Sequence, residues 1–136
     1  MDHTLNILGL AKKAGLLAVG CEAVGAASRK GKTKLIISAS DASARAYRTA
    51  RFNADDCGAI CLVVPYTMFE LGNVTGRGSP GTIAFLDTGL AVRFLKGLAE
   101  SEYELYGKVW EFLEQKSRTF QDEGKESPPD KRRTAK

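Results

Sequence analysis

Four short apolar runs, "LLAV", "TKLIIS", "AICLVV" and "TIAFLD", are set along residues 16–87, and helix-like segments alternate with them. Each run is bounded by Gly, Pro, Ser or Asp, as strands are. The first helical segment, "TLNILGLAKKAG", sets Ile7, Leu10, Ala11 and Ala14 at i, i+3, i+4 and i+7, with Thr4 placed to cap it and Gly15 to end it. A second short helix runs from about Cys21 to Lys30 and stops at Gly31. A third, roughly Ala42 to Asn53, follows the cap residues of "SASDAS". It gathers Arg45, Arg48 and Arg51 within about a third of its circumference and turns Ala46, Tyr47 and Ala50 the other way. "TMFELGNVT" reads as a short helix, "GRGSPG" as a loop, and "GLAVRFLKGL" as a closing helix. Alternation at this spacing predicts an α/β fold with helices on both faces of a small sheet. Two connections are short, so the sheet need not be wholly parallel.

Beyond Lys96 the character of the chain changes. "SEYELYGKVWEFLEQKSRTF" places Tyr106, Trp110 and Leu113 at i, i+4 and i+7, beside Leu105, Val109 and Phe112. This stripe is expected to dock back onto the domain rather than wait for a partner. From Gln121 onward no large apolar residue is available to anchor the chain, which predicts a disordered tail. The resulting division is a domain over residues 1–98, an amphipathic helix over 99–120 and a tail over 121–136.

The 136 residues suffice for one domain with a real core, and no run approaches a membrane span or a secretory signal, so the cytoplasm is the expected compartment. Cys21, Cys57 and Cys61 make an odd count with no ligand partners nearby, and the single histidine, His3, stands at the amino terminus. A disulfide framework, a zinc site and a Ser–His or Cys–His nucleophile are therefore not expected. Cys61 reads as part of a buried strand. The carboxylates are scattered, and no catalytic residue, metal site, cofactor or small-molecule substrate is predicted. "GRGSPG" matches G-x-G-x-x-G, but it follows a helix and leads into a strand, the reverse of the dinucleotide arrangement.

The charge is more informative than its sum of +4: residues 12–51 hold nine basic side chains against Glu22 and Asp41 alone. A basic tract of this kind is the footprint expected for a nucleic-acid partner, the alternative being a solvated lysine-rich face. Within it, "GCEAVGAASRKGKTK" opens a helix with Gly20, where free N–H groups form a seat for phosphate. Lys32 and Lys34 fall at the far end of that helix and add a broader field.

The order of "LGLAKKAGLLAVGCEAVGAASRKGKTKLIISASDAS", "VVP", "ELGNVTG" and "IAFLDTGLA" resembles the kink-turn-binding ribosomal protein L-seven-Ae superfamily, in particular its bacterial YlxQ-like branch, from about Leu5 to Lys96. The resemblance implies a three-layer α/β/α sandwich on a mixed four-stranded sheet, here with an added C-terminal helix. It also implies RNA contact through Gly20 to Ala26 and Gly76 to Gly81. Gly20, Cys21 and Glu22 would seat the backbone, with Gly76, Arg77 and Gly78 as the second contact and Lys32 and Lys34 in support. The family pattern has Asn, Glu and Lys where this chain has Glu22, Ala23 and Ala26, so groups that read base edges and phosphates are missing. The function implied is a non-enzymatic RNA-binding protein of translation or the ribosome. The alternative is a protein-interaction module on the same scaffold with RNA binding weakened or lost.

Overall fold

The computed structural model describes residues 3–76 and 78–126. The elements are α1 (His3–Lys13), β1 (Leu17–Val19), α2 (Cys21–Arg29), β2 (Leu35–Ser38), α3 (Ala44–Cys57), β3 (Ile60–Val63), α4 (Met68–Thr75), β4 (Thr82–Phe85), α5 (Thr88–Ser101) and α6 (Tyr103–Glu126). The strands form one sheet in the order β1-β4-β2-β3. β4 is antiparallel to both neighbours, and β2 and β3 are parallel. The expected mixed four-stranded α/β architecture with a C-terminal helix is therefore present.

The two faces follow from the strand alternation. Val19, Leu35, Ile37, Ile83 and Phe85 share one core with buried residues of α1, α4, α5 and α6. Ala18, Ala84 and Ile36 stand in register across the sheet and face Val24 and Ala27 of α2 and Ala50 and Ala54 of α3. The small side chains in this second layer let those two helices approach closely. In the larger core Phe94 of α5 meets the Phe85 ring at 5.2 Å and the Tyr66 ring at 6.4 Å, both tilted, an arrangement that suits aromatic quadrupoles.

Several local expectations shift. α1 buries Thr4, Ile7, Leu8 and Ala11, whereas Leu10 is 55% exposed and Ala14 lies outside the helix and exposed. The helix is rotated from the predicted face because Thr4 packs onto Gly97 of α5, where any Cβ would collide with the threonine side chain. Thr4 is thus a core residue, not a cap. Gly15, at φ 74°, does end the turn, with Leu16 N–H donating to Ala11 O at 2.9 Å. α3 runs one turn beyond the predicted Asn53 to Cys57, where Gly58 takes the left-handed conformation. β3 is not a buried strand: it pairs only with β2, and Val63 is 46% exposed.

α6 turns back after the single non-helical residue Glu102 and packs most extensively against α5. Tyr106 and Leu113 are buried in the larger core, with Val109 and Trp110 packed against it. The Tyr106 hydroxyl lies 3.5 Å from the Val63 carbonyl oxygen of β3. Leu105 and Phe112, the other half of the aromatic and aliphatic stripe, remain 62% and 58% exposed. The helix continues through residues 121–126, and the rest of the expected tail, 127–136, lies outside the described residues.

Leu113→Ala should lower stability in urea denaturation by about 2–4 kcal/mol, through lost burial and a residual cavity. Phe112→Ala, one position away on the exposed flank, should change it by no more than about 0.5 kcal/mol.

Candidate nucleic-acid interface

Gly20 sits at φ 96°, ψ 157°, a conformation that is essentially restricted to glycine. Its N–H donates to Thr82 O at 2.9 Å, which continues the β1–β4 ladder by one residue. Its own carbonyl accepts from Val24 N–H at 2.9 Å and starts α2. Gly20 has no side chain to cap that helix, and helix geometry leaves the first N–H groups without helical partners. The starts of α3, α4 and α5 differ. Ser43 accepts from Ala46 N, Asp87 from Leu90 N, and Thr67 and Glu70 form a reciprocal capping box on α4.

The bond to Thr82 also fixes what stands beside the open helix start. Residues 76–81 lead directly into Thr82, so that segment and α2's first turn share one end of the sheet. Ala39 N–H donates to Gly81 O at 2.8 Å, and the space a Cβ would take at Gly81 is bounded by Ala42, Ala46 and Met68. The β2–α3 connection and the start of α4 therefore close round the same end. Asp41 holds them together by accepting from Met68 N–H at 2.8 Å. This link spans 27 positions and lay unrecognised in "SASDAS", where Asp41 reads only as one of several cap residues.

Cys21, Glu22, Gly76 and Gly78 are exposed and Gly20 is partly buried. Arg77 lies outside the described residues. Cys21 is solvent-facing rather than filling a tight site. Lys32 and Lys34 are not part of this end. Lys34 N–H donates to Phe85 O at 2.8 Å, at the opposite limit of β4. The nine-residue α2 separates them from Gly20 by about 13 Å of helix. Among the described residues, Glu22 stands in the first turn of α2, with Asp41 and Glu70 at the neighbouring connections and Arg45 at the start of α3. Glu22 stabilises the positive helix terminus by the same interaction a phosphate would use.

Among the described residues no group of three or more His, Cys, Asp or Glu side chains could hold a metal ion. Burial pushes the Cys61 thiol up to about 11, with neighbouring Arg51 opposing the shift, so its thiolate is disfavoured at neutral pH. Among the described residues no helix is long and apolar enough to cross a membrane.

No protein-family model matches the chain, and no curated protein matches it. Solved structures do. A protein of unknown function from Bacillus halodurans superposes with a TM-score of 0.64 at 26% identity, over 71% of this chain and 97% of that one. The 15.5 kD RNA-binding protein of Giardia lamblia superposes with a TM-score of 0.54 at 16% identity, over 73% of this chain and 84% of that one. One neighbour of this fold is thus an RNA-binding protein.

Gly20→Ala should cost about 1–3 kcal/mol in denaturant unfolding. No atom lies within 4 Å of the added Cβ, so the loss reports backbone strain and not a clash. Thiol alkylation at pH 8 should modify exposed Cys21 well before Cys61. The neutral Cys61 thiol stabilises the fold fully below its ordinary pKa of 9.0, and that contribution falls as pH rises from there through about 11.

Proposed function

We propose that this chain is a non-enzymatic, cytoplasmic RNA-binding protein of the translation apparatus that seats structured, kink-turn-like RNA. The contact surface is the start of α2 together with residues 76–81. The Gly20–Thr82 backbone bond carries this reading, because it holds an uncapped helix start beside the segment that the L-seven-Ae resemblance assigns to the second RNA contact. The likeness to a fold neighbour that binds RNA supports it. With Glu22, Ala23 and Ala26 in place of the family's polar and basic groups, recognition rests on backbone N–H groups and on RNA shape rather than on base edges.

A second reading, a protein-interaction module, is favoured by Leu105 and Phe112, which stay exposed after α6 has docked. Removing everything after residue 98 would also remove Tyr106 and Leu113 from the core. Native mass spectrometry of the full chain and of a Leu105→Ser/Phe112→Ser variant is therefore the cleaner comparison. An assembly present only in the first supports self-association.

Titration of a fluorescent kink-turn RNA and a straight duplex at two salt concentrations tests the principal reading. The expected result is a kink-turn preference that survives the higher salt. Arg77→Ala should reduce that preference, and an unchanged preference removes the 76–81 segment from the site. Equal, strongly salt-sensitive binding of both RNAs indicates generic phosphate attraction.

A further inference from the structure

A cluster of lysines lies at the end of the sheet away from Gly20, whereas Arg45, Arg48 and Arg51 are spread along α3. At the close of β4, Leu86 N–H donates to Leu16 O at 2.9 Å on one side, and Phe85 O accepts from Lys34 N–H at 2.8 Å on the other. Two strand spacings, about 10 Å, therefore separate the backbone of Leu16 from that of Lys34. Leu16 follows directly on α1, whose last turn carries Lys12 and Lys13. Lys30 caps the C-terminus of α2, and Lys32 and Lys34 lie exposed in the connection to β2. Five lysines thus flank one edge of the fold. Among the described residues the only ion pair is Arg118–Glu114, so none of the five is ion-paired with another described residue.

The surface has relief as well as charge. An open groove of about 670 Å³ indents the same end, lined by Thr33 and Lys34, by Asp87 and Thr88 at the start of α5, and by Leu113 and Lys116 of α6, so that one carboxylate stands among its lysines. The added helix therefore supplies a sixth lysine to this surface. Helix dipoles account for cations in the last turns of α1 and α2, but not for Lys32, Lys34 or Lys116, which lie outside those turns. The described side chains at the glycine-led end, by contrast, are Glu22, Asp41 and Glu70 against Arg45.

From this polarity we infer that the lysine end, with the groove between β2 and α6, is a second RNA-binding surface. It tracks the phosphate backbone independently of the helix start at Gly20. The inference rests on RNA being the partner and assigns it a surface that the family resemblance does not. Sequence-independent phosphate contact supplies affinity and salt dependence, whereas the glycine-led end supplies preference for shape. The two contributions are therefore separable by mutation.

The test is fluorescence anisotropy with labelled kink-turn RNA and a straight RNA duplex, across a salt series, on the full chain. The variants are Lys12→Gln/Lys13→Gln/Lys32→Gln/Lys34→Gln, Lys116→Gln and Arg77→Ala. All the replaced lysines are surface residues, and thermal melts confirm that each variant folds. The fourfold variant should lose at least tenfold in affinity for both RNAs alike. Its log–log salt slope should fall by about 2–4, since each neutralised phosphate contributes about 0.7–0.9. Lys116→Gln should lower the slope by less than one, which places the groove in the surface. Arg77→Ala should leave the slope close to that of the unmodified chain. RNA binding with unchanged slope and affinity in the fourfold variant overturns this inference and leaves the proposed function standing. Absence of binding to either RNA by the unmodified chain overturns both. Displacement of the labelled duplex by polyglutamate as effectively as by unlabelled duplex overturns RNA as the partner of this end and indicates an acidic protein.

Discussion

The last strand in sequence is the one that makes the sheet. β4 enters between β1 and β2 and pairs antiparallel with both, so neither of the two earlier strands touches the other. Its two ends then organise everything outside the core. At Thr82 it receives the N–H of Gly20; at Phe85 and Leu86 it is flanked by Leu16, just after the lysine-bearing last turn of α1, and by Lys34 in the connection after α2. A register slip of one residue would turn Ile83 and Phe85 out of the larger core and disconnect both ends at once.

How much of this could be read from the residues depends on how far each determinant reaches along the chain. Helices and strands announce themselves locally, through Gly15 and Gly31 at helix ends and through apolar runs between turn residues. Their kinds and order were therefore legible. The burial of Thr4 was not, because it is decided by the absent side chain of Gly97, more than ninety positions away. The edge position of β3 was hidden for a related reason. "AICLVV" has the composition of a central strand, and only the pairing order leaves one side of it unpaired. At the candidate site the glycine-led helix start was readable in Gly20, and the length of α2 already placed Lys32 and Lys34 beyond it. The clasp made by Asp41 on α4 was invisible, since one carboxylate among several cap residues carries no mark of a partner 27 positions on.

The two ends of the sheet differ in the kind of order they impose. Around Gly20 the organisation is a matter of backbone, with a restricted glycine conformation, an uncapped helix start and carboxylates that close neighbouring helices. Around Lys34 it is a matter of unpaired side-chain charge over an open groove. Backbone geometry is stiff and discriminates shape; long-stemmed ammonium groups adapt to many arrangements of phosphate. On the proposed reading, selectivity and attraction fall to opposite ends of one small sheet, and Lys116 of α6 lies at the second.

The position of Trp110 has a spectroscopic consequence. It is the only tryptophan of the chain, it packs at the seam between α6 and the larger core, and its indole N–H is buried without a hydrogen-bond partner. An indole so placed emits at shorter wavelength than one in water, and nothing else in the chain contributes to that colour. The protein therefore carries a built-in reporter on one joint: its emission follows whether α6 is seated, while far-ultraviolet dichroism follows the helices as a whole.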